Sequence, residues 1–474
     1  MTRVLMVSSE ATPFAKTGGL ADVTGALPAA LEKLGDEVAV VMPRYRQIPW
    51  EETESAWDNM VVYAGATAYR VDIRTLVHKG VRFYFVEAPY FFDREGLYNA
   101  RNVDYWDNHK RFAVLSLAAL GVAQTVFPCD ILHSHDWQAA LTPVYRADQQ
   151  HANPLFDGVK TLLTIHNLGY QGRFHQSQFP DLGLNAGWFT PDKLEYYGDV
   201  NFLKGGIATS DWVTTVSPTY AKEIQTPEGG FGLDGALRAR GDALTGILNG
   251  VDYEEWCPST DKHIAANYSA ADLAGKRACK KALLEEFHLP ADNLDRPVVG
   301  IVSRFAPQKG FDLIAGIASF IEENDVQLVV LGSGDWRFEK IFHDWQRWQP
   351  KKVGVWFGYN NGLAHRIEAG ADLFLMPSQY EPCGLNQIYS LRYGTVPVVR
   401  ATGGLDDTIQ EDTGFKFSSY TVGSLYDALR TALGAYQNRD SWTERMRRGM
   451  AKDYSWDASA RAYSSLYERL LGRG

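Results

Sequence analysis

Arg304 closes the apolar run RPVVGIVSR (296–304), and Lys309 follows it in FAPQKG, just ahead of a stretch with helical periodicity. Two cations at the carboxyl end of a strand can clamp a diphosphate, the arginine as a planar fork and the lysine as a point charge. A solvated loop commonly carries such a pair as well. A second stretch, Ser378-Gln379-Tyr380-Glu381-Pro382-Cys383-Gly384-Leu385-Asn386, follows DLFLMPS and opens a helix. Pro382 donates no backbone hydrogen bond and Gly384 has no side chain, so the loop can turn N–H groups toward phosphate or sugar oxygens. Glu381 is then the carboxylate nearest a bound group. The plainer alternative is an acidic residue placed favourably at a helix start.

Lys16-Thr17-Gly18-Gly19 lies between the first strand and the first helix. Two glycines permit close backbone approach, and the helix start offers N–H groups to an anion. By itself the pair is also an ordinary glycine turn, since the loop is not G-x-G-x-x-G. His133-Ser134-His135-Asp136-Trp137 ends another strand. Alternate residues of a strand point the same way, so His133 and His135 could converge on a metal. No third ligand is indicated nearby, and no metal is expected. His166 ends the next strand in TIHN, where a hydrogen-bonded structural histidine is the plain reading.

These residues need elements to hold them. RVLMVSS (3–9) reads as a buried strand and ADVTGALPAALEKLG (21–35) as a helix ending at Gly35. EVAVVMP, RFYFVEAP, a helix over 105–126, DILHSHD (130–136), KTLLTIHN (160–167), DWVTTVS (211–217) and GILNGVD (246–252) follow. Such alternation predicts a parallel sheet covered on both faces. Residues 253–295 hold no clear strand. A second series then runs through 296–304, 325–334, 353–358, 372–378 and 395–400, with helical stretches at 309–323, 335–349 and 384–394. The expectation is α/β, two doubly wound Rossmann-like domains meeting near 245–257 and facing across a cleft that narrows on a ligand. Such sheets bind ligands at the carboxyl ends of their strands, at topological switch points. SWDASARAYSSLYERLLG (455–472) predicts an amphipathic helix with Ala462, Leu466, Leu470 and Leu471 on or near one face.

Composition narrows the classes. The chain has 474 residues, 45% apolar and 22% charged, which suits a globular protein of two or three domains. A net charge of −10 argues against nonspecific binding to nucleic acid or an anionic membrane. Cys129, Cys257, Cys279 and Cys383 form no C-x-x-C pair and suit free thiols in a reducing compartment. The apolar run after Met1 is too short for a secretory signal, and Ala113 to Ala123 falls far short of the ~20 residues that span a bilayer. A cytoplasmic protein is expected.

Taken together, KTGGLADV (16–23), HSHDW (133–137), SRFAPQKG (303–310), YEPCGLNQ (380–387) and TGGLDDT (402–408) resemble the bacterial glycogen synthases and plant starch synthases. The resemblance runs from residue 3 to about 460. It implies a retaining glycosyltransferase of GT-B type that moves glucose from ADP-glucose to the non-reducing end of an α-1,4-glucan, with no cofactor. It implies an N-terminal domain over 1–250 on the glucan acceptor side and a C-terminal domain over 251–455 on the nucleotide-sugar side. A last helix, 456–474, would return to the first domain. Residue by residue, Lys16, Gly18, Gly19 and Asp22 of KTGGLADV would meet the donor, Gly18 at its phosphates. Arg304 and Lys309 would neutralise the leaving diphosphate, and Glu381 would bind the transferred glucose. Cys383, Gly384 and Leu385 would offer backbone groups, Asp136 and His166 would hold the glucose with help from Asn249, and Tyr359 would lie against the adenine. Related retaining transferases often carry a second glutamate where this chain has Tyr389; the starch synthase branch commonly lacks it too.

Three other classes are weighed. A nucleotide-sugar epimerase can share the twin-domain architecture. A dehydrogenase would need a strand-G-x-G-x-x-G-helix with an acidic partner, and none is found. A non-catalytic glucan-binding protein would have no use for Arg304, Lys309 and Glu381 together.

Overall fold

In the computed structural model, which describes residues 1–101, 103–150 and 153–473, the chain divides into two compact units. Unit 1 is Met1–Gly250 with Trp456–Gly474, and unit 2 is Val251–Ser455. The strongly apolar, β-branched runs become the central strands of each sheet, because strands covered on both faces need no polar alternation.

Unit 1 holds a nine-stranded sheet. Its order is Leu244–Gly246, Trp212–Thr215, Lys160–Ile165, Ile131–His135, Arg3–Val7, Glu37–Pro43, Val81–Glu87, Thr67–His78, Glu54–Ala64. The pairing is parallel up to Val81–Glu87 and antiparallel for the last two strands. The sheet is therefore mixed, whereas strand-helix alternation predicted a parallel one. Glu54–Ala64 was not legible as a strand, because register shifts between Ser55 and Trp57 and between Trp57 and Met60 break its period of two. The first and fourth strands in this chain-order series of parallel strands, Arg3–Val7 and Ile131–His135, are neighbours, and chain order reverses between them. That is a switch point, and the loops after both strands open on its carboxyl edge.

The helix Gly19–Lys33 buries Leu20, Val23, Leu27 and Leu31 at helical spacing and begins directly after the Lys16–Gly18 loop. The helix expected over 105–126 is Asn108–Gly121, extended by a wider turn over Val122–Val126. The strand expected over 246–252 is instead Leu244–Gly246. The tail helix is Trp456–Leu470, and it belongs to unit 1. Its buried side is Trp456, Ala460, Tyr463, Leu466 and Tyr467. Of the expected face, Leu466 is buried and Leu470 and Leu471 pack partly buried against the core, whereas Ala462 is exposed, and Tyr463 and Tyr467 add large buried apolar area.

Unit 2 has a six-stranded, all-parallel sheet: Val353–Phe357, Gln327–Gly332, Val298–Val302, Leu373–Met376, Val396–Arg400, Phe415–Phe417. This is the doubly wound order with its switch point between Val298–Val302 and Leu373–Met376. The helical stretch 309–323 is broken at Gly316 into Phe311–Ala315 and Ala318–Glu323. Among the described residues, no helix is long and apolar enough to cross a membrane.

Candidate active site

In unit 2, Lys309 and Glu381 are far apart in sequence but end up on loops that follow the two switch-point strands. Lys309 Nζ sits 2.6 Å from Glu381 Oε2, and Ser378 Oγ donates to the same oxygen at 3.0 Å. Glu381 is 5% exposed, so the lysine and the hydroxyl replace the water that burial removes. The loop is held from behind. Gln379 N donates to Gln308 O at 2.8 Å, and Gln308 Nε2 donates to Tyr380 O at 3.2 Å. Gly404 N donates to Glu381 O at 3.1 Å and to Pro382 O at 3.2 Å. A Cβ on Gly403 would fall on Glu381 O, and one on Gly404 on Cys383 O. The glycines of TGGLDDT are thus what lets that loop press against YEPCG, backbone to backbone.

Arg304 is exposed and makes no ion pair among the described residues. Phe305 behind it is anchored, its N–H donating to Ser333 O at 2.8 Å. The arginine and Lys309 therefore differ: one is spoken for by Glu381 and the other is not. Cys383 is buried, and Gly384 and Leu385 lead into the helix Asn386–Arg392. Gln387 Nε2 holds Cys383 O at 3.0 Å and Gly384 O at 3.1 Å, which fixes that turn. Tyr359 stands apart at 84% exposure after the edge strand Val353–Phe357. Tyr389 is buried and stacked on Trp256, with centroids 3.9 Å apart and planes 6° from parallel. Trp256 stacks in turn on His365 at 3.7 Å. Tyr389 is thus a packing residue here.

In unit 1 the switch point gathers a different set. Asp136 has φ +56° and accepts from His166 N at 2.7 Å. Burial pushes its carboxyl up to about 7, against the pull of backbone N–H groups of His166 and Asn167. His135 Nδ1 lies 3.0 Å from His166 Nε2. His133 lies 2.9 Å from Tyr467 OH through Nδ1 and 2.7 Å from Thr164 Oγ1 through Nε2. Burial holds His133 and His166 down to about 3, and His135 well below its ordinary value, so all three rings are neutral. His133 and His135 do lie side by side, with centroids 4.1 Å apart. Three of their four nitrogens serve Tyr467, Thr164 and His166, and among the described residues no group of three or more His, Cys, Asp or Glu is arranged to hold a metal. Asn249 is buried, and its Oδ1 has no partner among the described residues.

The glycine loop is organised by a residue that the motifs did not single out. Glu10 is 3% exposed and accepts from Thr17 N at 2.5 Å, Thr17 Oγ1 at 2.6 Å, Gly18 N at 3.3 Å and Tyr98 OH at 2.5 Å. The Gly18 N–H expected to meet phosphate is thus already engaged by this carboxylate. The space beside Gly18 and Gly19 is open, since a Cβ on either meets nothing within 4 Å. Lys16 Nζ pairs with Asp22 Oδ1 at 2.6 Å on the exposed side. Glu10 could have been found by asking which acid follows the first switch-point strand.

Two family models match the chain: starch synthase catalytic domain over residues 3–239 and glycosyl transferases group 1 over 285–449. A protein named glycogen synthase from Koribacter versatilis (strain Ellin345) is 49% identical over 474 residues, covering 98% of each chain. Another of that name from Anaeromyxobacter sp. (strain Fw109-5) is 47% identical over 477 residues, covering 98% of this chain and 99% of that one. Among solved structures, the catalytic domain of starch synthase IV from Arabidopsis thaliana, bound to ADP and acarbose, is similar at TM-score 0.90 and 33% identity, covering 100% of both chains. A sucrose-phosphate synthase from Thermosynechococcus elongatus shares the fold at TM-score 0.61 and 18% identity, covering 100% of both.

Proposed function

The chain belongs to the glycogen and starch synthase family of glycosyltransferases, and we propose that it transfers glucose from ADP-glucose to the non-reducing end of an α-1,4-glucan, with retention at the anomeric carbon. The observation that carries this reading is Glu381, buried and neutralised by Lys309 at the switch point of unit 2. Nothing in the comparisons supports the epimerase alternative.

Unit 2 is the nucleotide-sugar side and unit 1 the glucan side. Arg304 takes the diphosphate first, being free of other pairing. Lys309 then shares its charge between Glu381 and the phosphates. The bond from the anomeric carbon to the β-phosphate oxygen breaks, and ADP leaves with the electron pair. Arg304 and Lys309 stabilise that charge without a metal. Glu381 faces the positive charge left on the sugar. The acceptor hydroxyl oxygen bonds to the anomeric carbon from the same face, and its proton passes to the departing phosphate oxygen. Burial of Tyr389 against Trp256 leaves its slot without a carboxylate for a covalent intermediate. Asp136 and His166 hold the glucose, with Asn249 offering its unpartnered Oδ1 to a sugar hydroxyl. Lys16, Gly18, Gly19 and Asp22 border the donor, Cys383, Gly384 and Leu385 line it with backbone groups, and Tyr359 offers its exposed ring to the adenine. Four free thiols suit work in the cytoplasm.

The test is glucan extension with ADP-glucose and with UDP-glucose, followed by anomeric analysis of the new linkage. α-1,4 growth with ADP-glucose is expected. Release of free nucleotide without growth of the glucan would overturn the reading.

A further inference from the structure

His135 does no chemistry in this scheme, yet its side chain meets that of His166. Their contact, His135 Nδ1 to His166 Nε2 at 3.0 Å, needs one donor and one acceptor. A neutral imidazole carries one proton, so the contact can be made in two ways. In the first, His135 Nδ1–H donates, and His135 Nε2 is left as a bare lone pair. In the second, His166 Nε2–H donates, and the proton of His135 must sit on its own Nε2. That atom is fully buried and has no partner among the described residues. The second arrangement therefore buries an unsatisfied N–H donor, and such orphans are rarer than under-used acceptors. The first arrangement is favoured. It has a consequence for the other ring. With its Nε2 accepting, a neutral His166 must carry its proton on Nδ1. That nitrogen is not among the fully buried unpartnered atoms, so it keeps contact with the outside of the cluster.

We propose that His135 is a positioning residue that sets the tautomer of His166, so that His166 presents an N–H donor at Nδ1 to an oxygen of the bound glucose. The inference deepens the proposed function and rests on the placing of His166 at the sugar. His135 is itself held in place. Its ring packs against that of His133, tilted by 33°, and His133 is pinned between Tyr467 OH and Thr164 Oγ1. The backbone of His166 is fixed separately by Asp136 Oδ1 at 2.7 Å. The backbone of His166 and the proton of its ring are thus set by two different neighbours. The low proton affinity that burial gives these rings keeps the arrangement from being erased by a second proton at working pH.

Neutron diffraction from crystals of the full chain tests the tautomer directly. Deuterium on His135 Nδ1 and His166 Nδ1 is expected; deuterium on His166 Nε2 overturns the proposal. Kinetics test the consequence. In His135→Asn the amide nitrogen can donate from the place of Nδ1, whereas in His135→Leu no donor remains. His135→Asn should keep most of the turnover. His135→Leu should lose on the order of 10²-fold in kcat, with KM for ADP-glucose nearly unchanged. Equal losses in two variants of unchanged melting temperature would show packing alone and overturn the proposal. Undiminished turnover in His166→Ala would instead overturn the placing of His166 at the sugar, and with it the catalytic half of the proposal. The deuterium positions judge the tautomer independently of that result.

Discussion

The two switch-point clusters solve opposite problems. Unit 2 offers charge: Lys309 is partly exposed, Arg304 is exposed and unpaired among the described residues, and Glu381 carries its own counter-ion. Unit 1 offers buried groups of little charge: three neutral imidazoles, and an Asp136 carboxyl raised to about 7 by burial. In the proposed reaction a diphosphate arrives with charge and with water, and the groups proposed to meet it stand at the solvent edge. A glucose is neutral until its anomeric bond breaks, so the groups around it can be fixed dipoles in low dielectric. The difference says which cluster responds to which perturbation: unit 2 to loss of charge, unit 1 to pH and proton placement.

The largest effect should come from unit 2. Arg304→Ala and Lys309→Ala should each lower turnover by about 10²–10³. They should part company in stability. Lys309→Ala strands the buried Glu381 and should lower the melting temperature, whereas Arg304→Ala should leave it unchanged. Near-wild-type turnover in either variant removes that residue from the phosphate clamp, and equal melting temperatures break the contrast between them.

Next comes the acid side of the pH profile, which belongs to unit 1. Burial raises the Asp136 carboxyl, so below about pH 7 it is protonated and neutral, and above that it is the carboxylate that can face a developing cation. The free-enzyme kcat/KM should therefore be level above pH 7 and fall by about tenfold per unit below it. Asp136→Asn should have low activity and no such limb. A wild-type limb that begins instead in the ordinary carboxylate range would assign the profile to another group.

A smaller, structural effect is expected at Gly403, which has φ +46° and backs onto Glu381 O. Gly403→Ala should cost about 1–3 kcal/mol in urea unfolding and reduce kcat by displacing the Glu381 loop. Unchanged stability would mean the loop yields without strain. The smallest effect should be that of a chelator. Activity should survive EDTA, since in the proposed scheme the cations of unit 2 take the role of a metal, and in unit 1 His133 is engaged by Tyr467 and Thr164 and His135 by His166. Loss of activity restored by a divalent ion would break the comparison at both ends.

Much of this was legible in the sequence where one residue's neighbours along the chain decide its place. Apolar runs such as VVGIV and LFLM became central strands because only a doubly covered sheet buries them fully. The polar residues at strand ends followed, since a doubly wound sheet delivers them to one edge. Partnerships across strands were not legible. Lys309 and Glu381 meet because Val298–Val302 and Leu373–Met376 are neighbours, and spacing alone does not state that pairing. His135 and His166 meet because Ile131–His135 and Lys160–Ile165 run in parallel register. Glu10 belongs to no motif; its place after the first switch-point strand marks it as a candidate, but its four donors come together only in the folded chain. The hairpin strand Glu54–Ala64 was hidden by its own bulges, and the buried face of the tail helix by tyrosines that pattern reading treats as half polar.

The way the chain passes from unit 1 to unit 2 and back has a consequence for synthesis. The two passages are adjacent, with Val251 N donating to Tyr454 O at 2.9 Å and Val251 bridging Ser455. Unit 2 is thus inserted whole into unit 1, and on the ribosome it is continuous. Unit 1 is not: His133 waits for Tyr467, 334 residues later. At ~5–20 residues per second that wait is about 17–67 s. All nine strands have been synthesised by Gly246, yet for the following 221 residues the histidine column still lacks the hydroxyl that pins it. The later-made unit has all of its own chain first, and the nascent polypeptide closes its first-made half last.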